Sequence, residues 1–186
     1  MEHDRDILQE LTADHDDIRV LFSRMIGLRI GDPRRKALVD EVTGELVRHA
    51  IAEESCLYPL VRQLPDGEVV AGQELRDHAV VETLLRHLQW RTATTAGFDR
   101  LVAQLVELVT GHLGHEEARI FPALRAVIPG SELRRLGEQV REVKRHARTS
   151  PRPGASATIP PDNLLPPERG PVARLHDLLV SHRGTR

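Results

Sequence analysis

With 186 residues, 40% of them hydrophobic, the chain is long enough to bury one sizeable core, and its single cysteine, Cys56, excludes an internal disulfide, a cysteine-rich zinc module and an iron–sulfur cluster. A formal net charge of −2 supplies no long-range attraction to nucleic acid or an anionic membrane, and 3% aromatic content leaves a core of Leu, Val, Ile and Ala, which favours helices packed on helices. The charged opening MEHDRDILQE is no secretory h-region and no apolar run nears the roughly 18 residues of a spanning helix, so a soluble, cytoplasmic protein is expected.

From residue 6 to about 29, Leu8, Leu11, Ile18, Phe22 and Met25 recur at steps of three and four, with His15 filling the gap in the stripe, which predicts an amphipathic helix. Gly31 ends it, and Asp32-Pro33 restarts the chain as an N-cap followed by proline. The second helix carries Leu38, Val42, Leu46, His49, Glu53, Leu57 and Leu60 on one stripe, and Leu64-Pro65-Asp66-Gly67 is a turn. A third helix reaches about Arg91 with Leu75, His78, Glu82 and Leu85 inward; a fourth runs from about Phe98 to Ile128 with Leu101, Leu105, Leu108, His112 and Glu116 inward.

Ser131 is the expected N-cap of a shorter fifth helix to about His146, whose Leu133, Leu136 and Val140 dock on the others and whose Arg and Lys residues, interleaved with Glu, form a solvated face. Residues 149–170 are rich in proline and read as an extended linker, and residues 171–186 as a short C-terminal helix or tail.

The motif HAIAEESCLYP at 49–59 returns as HLGHEEARIFP at 112–122, and Asp14-His15 returns as Asp77-His78, both displaced by 63 residues. Apolar positions repeat with them: Ile18 with Val81, Phe22 with Leu85, Val42 with Leu105. The expected fold is therefore all-α, an antiparallel up-down four-helix bundle built from two repeated helical hairpins with a C-terminal helical extension, residues 1–148 forming the bundle and its fifth helix. Pro59 and Pro122 lie inside helices, so a kink or tightened turn is expected at the same place in both halves.

On a helix, residues four apart project side by side, so His49 with Glu53, and His112 with Glu116, can meet one ion; Glu54 and Glu117 lie a further 100° round, toward the rim. Each half thus offers His, His and Glu. Six ligands would close a single ion completely, but divided between two ions with bridging glutamates they leave positions open for a small molecule. Imidazole with carboxylate suits iron or manganese; zinc would suit mononuclear sites. Unpaired, these groups would each cost several kcal/mol on burial. Cys56, Tyr58 and Trp90 read as packing residues, and His115 as a rim residue, extra ligand or proton shuttle.

A lone His on helix one, H-x-x-x-E on helix two, His on helix three and H-x-x-x-E on helix four, with each EE followed by an aromatic-Pro pair, resembles the hemerythrin HHE cation-binding domain over about residues 6–128. The resemblance implies an oxo- or hydroxo-bridged pair of iron ions inside a four-helix bundle, with His15, His49, Glu53, His78, His112 and Glu116 as ligands. Oxygen-carrying hemerythrins are similar but have a second histidine one turn after the helix-three histidine, where this chain has Glu82, a candidate seventh ligand. Its repeat-mate is Arg19, so the two irons should differ. Carriers also bridge with a carboxylate five residues after the helix-four histidine, which would select Glu117, whereas the repeat and the helix geometry favour Glu116. The resemblance and the carboxylate-rich ligand set together point to a protein that binds or reacts with dioxygen, peroxide or nitric oxide, with catalase-like peroxide consumption as its enzyme form. The alternatives are a non-enzymatic iron-binding or sensing module that signals to a protein partner through the C-terminal segment, and a structural metallo-bundle.

Overall fold

The computed structural model describes residues 5–151; the C-terminal helix expected at 171–186 and most of the 149–170 linker lie outside the described residues. Helix α1 (Ile7–Ile26) starts on a capping box, in which the Asp6 carboxylate accepts from the Gln9 N–H at 2.9 Å and the Gln9 side chain accepts from the Asp6 N–H at 3.0 Å. Its buried stripe contains Leu8, Leu11, His15, Ile18, Phe22 and Met25, as the periodicity requires. The helix stops at Ile26, short of the expected residue 29. Arg35, buried in α2 (Arg34–Ala52), donates to the Met25 and Leu28 carbonyls at 2.9 and 3.1 Å and ties the end of α1 and the turn after it to α2.

The chain continues through a π-helical turn (Glu53–Leu57) into α3 (Tyr58–Val61), then α4 (Gly67–Gln89) and α5 (Phe98–His115). A second π-helical turn (Glu116–Ile120) leads into α6 (Phe121–Val127), and α7 (Gly130–His146) follows. The hairpins α1/α2 and α4/α5 pack on one another through α2 against α4 and α1 against α5, which gives the up-down bundle. Among the described residues no helix is long and apolar enough to cross a membrane.

The proline in each half widens the helix rather than tightening it. Pro59 and Pro122 lack an N–H, and their rings crowd the carbonyl one turn back. The hydrogen bonding shifts register just upstream, so that the Tyr58 N–H reaches the Glu53 carbonyl and the Phe121 N–H reaches the Glu116 carbonyl, five residues back in each case. Residues five apart, which an ideal α-helix would point 140° away from each other, are thereby stacked on one face.

Helix α7 begins at Gly130, one residue before the expected cap, and buries Leu133, Leu136 and Val140 with Ile7, Leu8, Leu11 and Leu57 in the core beside the π turns. Gly137 makes this docking possible, since a Cβ there would lie 2.3 Å from the Arg5 carbonyl oxygen. Trp90, expected to pack, is 85% exposed at the end of α4.

Candidate metal centre

Four imidazoles meet at mid-bundle as two matched pairs. His15 and His49 lie edge to face with ring centroids 4.9 Å apart, and His78 and His112 do the same at 5.0 Å. Glu53 and Glu116, both fully buried, sit between the pairs. Glu53 Oε1 is 3.0 Å from His49 Nε2 and Oε2 is 3.2 Å from His78 Nε2; Glu116 Oε2 is 3.4 Å from His15 Nε2 and Oε1 is 3.8 Å from His112 Nε2. Ligand-capable atoms of His15, His49, Glu53 and Glu116 lie within 4.8 Å of one another, as do those of Glu53, His78 and His112 and those of Glu74, His112 and Glu116. Each central glutamate therefore belongs to groupings on both sides.

Every imidazole turns Nε2 inward and Nδ1 outward to a carboxylate: His15 to Glu117 at 2.7 Å, His49 to Asp14 at 3.2 Å, His78 to Glu54 at 3.2 Å and His112 to Glu74 at 2.8 Å. At His15, His49 and His78 this contact is a hydrogen bond, and a carboxylate bonded to Nδ1 fixes the tautomer that leaves the Nε2 lone pair free and makes that nitrogen a better donor to a cation; His112 Nδ1 and Glu74 Oε2 are in ion-pair contact only. Glu54 and Glu117, set aside from the centre by helix geometry, occupy these supporting positions.

The inward atoms are short of partners. His15 Nε2, His49 Nε2, Glu53 Oε1 and both Glu116 oxygens are buried without a hydrogen bond to protein, a condition that costs roughly 1–3 kcal/mol per group, more for charged ones. Burial pushes the His49 ring down, but the Glu53 charge and hydrogen bonds with Asp14 and Glu53 outweigh it and raise the ring to about 10. Burial likewise opposes the Glu53 charge, which His49, His112 and His78 nevertheless hold well below the usual carboxylate range, while burial and the Glu53 charge push Glu116 up. Two like charges in one dry site resist ionising together, and bound cations lift that conflict. The residues thus fit metal ions, with nitrogen and oxygen donors and no thiolate: the one cysteine, Cys56, is a small buried core residue.

Glu82 does not join them. Its carboxylate lies 3.7 Å from Arg148 and belongs to none of the three groupings, and Glu74, one turn before His78 on the same helix, is at the centre instead. Helices α4 and α5 are antiparallel, and the site spans the turn from His112 to Glu116; the matching step on α4 runs back from His78 to Glu74, whereas Glu82 lies about 6 Å the other way. Glu74 also takes His115 at 3.0 Å, so His115 supports the centre from its edge.

The other residue that sequence reasoning missed is Tyr58, buried with its Oη 3.0 Å from His78 Nε2 and 3.5 Å from Glu53 Oε2. The π turn carries it over Glu53, and Phe121, its counterpart, is carried over Glu116 to stack on His15 at 5.6 Å. An in-helix proline six residues past each central glutamate was the signal for this register shift.

A profile of the hemerythrin HHE cation-binding domain matches residues 6–124. The chain belongs to the hemerythrin HHE family. Within this family it is similar to an uncharacterized hemerythrin-like protein of Schizosaccharomyces pombe, 23% identical over 137 residues that cover 73% of this chain and 68% of that protein. It is also similar to a Nostoc protein named a DNA nickase, 27% identical over 158 residues, 83% of this HHE chain but only 43% of the nickase's length. The crystal structure of a hemerythrin HHE cation-binding domain protein from Mycobacterium kansasii shares the fold, with a TM-score of 0.66 and 22% identity over 76% of this chain and 86% of that one.

Proposed function

We propose that this HHE protein is a non-haem di-iron protein that binds or reacts with a small oxidant such as dioxygen, peroxide or nitric oxide. The observation that carries the reading is the convergence of four Nε2 atoms on two shared glutamates, with every Nδ1 tied to a carboxylate. His15 and His49 would hold one ion, His78 and His112 the other, and Glu53 and Glu116 would bridge them. Donors of this kind suit iron or manganese, and a pair of irons supplies one- and two-electron exchange with a bound oxidant.

The chain's own residues provide the rest. Leu, Val and Phe side chains exclude water from the centre, which strengthens every electrostatic interaction inside it. The Tyr58 phenol is the hydroxyl nearest the central imidazoles and glutamates, 3.0 Å from His78 Nε2 and 3.5 Å from Glu53 Oε2, and there it could donate a hydrogen bond at Oη to a bound ligand. The activity named for the Nostoc relative is not part of this reading, because the chain matches only 43% of that protein's length.

Anaerobic loading with ferrous iron followed by peroxide, azide or nitric oxide tests the proposal. A visible charge-transfer band that shifts with each ligand is expected, and oxygen evolved from peroxide identifies the enzyme form. Iron taken up with no spectral response to any of the three would reduce the centre to a structural one.

A further inference from the structure

We propose that ligands reach the centre through a small apolar pocket over His78 and His112 whose rim, the Glu82–Arg148 ion pair, selects uncharged molecules of two or three heavy atoms over anions. The inference rests on the di-iron reading. The pocket is walled by Val81, Leu85, Val109 and Leu113 and touches three of the four imidazoles, His49, His78 and His112. Its volume is about 50 Å³, where a single water needs roughly 10–15 Å³. His15 and Glu116 are not on its wall; Phe121 stacks on His15, and Arg19 closes over Glu117 at 2.8 Å.

An apolar wall strips water from whatever passes, which an uncharged ligand tolerates and an anion does not. The charges at the rim then decide how strongly an anion is held off or drawn in. Glu82 and Arg148 are 19% and 34% exposed and 3.7 Å apart, while Glu54, also on the wall, lies 3.2 Å from His78 Nδ1. Arg148 comes from the extended segment that follows α7, and the next residue, Thr149, lies against α2 where a Cβ on Gly44 would meet it at 3.7 Å. That segment, and not the bundle alone, carries the cation to the rim. Glu82 thus has a role at the centre without being a ligand.

Two substitutions that preserve side-chain size pull the rim charge in opposite directions. In the iron-loaded full chain, Glu82→Gln should raise the azide association rate and Arg148→Gln should lower it, each about threefold or more at low salt, and the gap should close near 1 M salt, where the screening length is about 3 Å. Nitric oxide rates should move less than twofold in either variant, and Glu41→Gln, which removes a surface carboxylate paired with Arg24 away from this wall, should leave azide unchanged. In the metal-free full chain, xenon should shift the methyl resonances of Val81, Val109 and Leu113. Azide rates that do not move, or that move the same way in both variants, would overturn the proposal, as would a chain that takes up iron but shows no xenon shift at those methyls. Xenon shifts in a chain that takes up no iron would instead overturn the di-iron reading and leave the pocket standing.

Discussion

The two sides of the centre present nearly the same inner atoms and different surroundings. On the first side His15 and His49 are backed by Glu117 and Asp14, and each of those carboxylates meets a permanent cation, Arg19 or Lys144. On the second side Glu74 is divided between two imidazoles, His112 and His115, and a phenol, Tyr58, stands where the first side has the ring of Phe121. The pocket opens on this second side. A carboxylate paired with an Arg or Lys lends less electron density to its imidazole than one shared between two imidazoles, so two metals held by these repeated residues should not be equivalent.

The largest expected effect comes from the residue that both sides share. Glu53→Ala should cost both ions, because Glu53 faces His49 on one side and His78 on the other; metal content per chain, measured by mass spectrometry, should fall from two to below one. Retention of one full ion would break the claim that the glutamates are shared. Chelation of the unaltered protein should remove about 4 kcal/mol when metal was held a thousandfold above its Kd, a fall in melting temperature on the order of 10 °C by calorimetry.

Next in size is the acid effect carried by Glu74 on the second side. In the metal-free protein burial opposes the Glu74 charge, but His112 and His115 outweigh it and bring the carboxyl from 4.5 to about 2. The folded carboxyl binds its proton more weakly than the unfolded one, so its stabilisation is complete above pH 4.5 and is lost as pH falls toward 2. Denaturant titrations from pH 5 to pH 2 should show a loss of stability that Glu74→Gln makes smaller by on the order of 2–3 kcal/mol, the rest coming from Asp14, Glu53 and Glu117. Tyr58→Phe should keep both irons and alter the spectrum of one, since only the second side has a phenol at the ligands. Smallest is Lys144→Met, which removes a partly exposed partner of Asp14 and should change thermal stability by less than about 1 kcal/mol.

The bundle and six of the central side chains were legible because helical periodicity and the 63-residue repeat both put them on inward stripes. Two things were not legible by that rule. Glu74 and Glu82 are each one turn from His78, and periodicity alone cannot rank them; only the antiparallel run of α4 against α5 shows that the centre lies on the Glu74 side. Tyr58 fails the α-helical rule outright, since five residues past Glu53 it should face away, and it is brought back by a π turn that ordinary periodicity does not anticipate. The fifth helix docks as its apolar positions require, whereas its link to the centre through Lys144 and Asp14 depends on which cation meets which acid across 130 residues, and spacing carries no sign of that.

Metal count joined to iron-57 Mössbauer spectroscopy of the full chain tests the central claim most directly. Two irons per chain and two quadrupole doublets of equal area and different splitting, one for each side, are expected. A single ion per chain, or two irons giving one indistinguishable doublet, would contradict it.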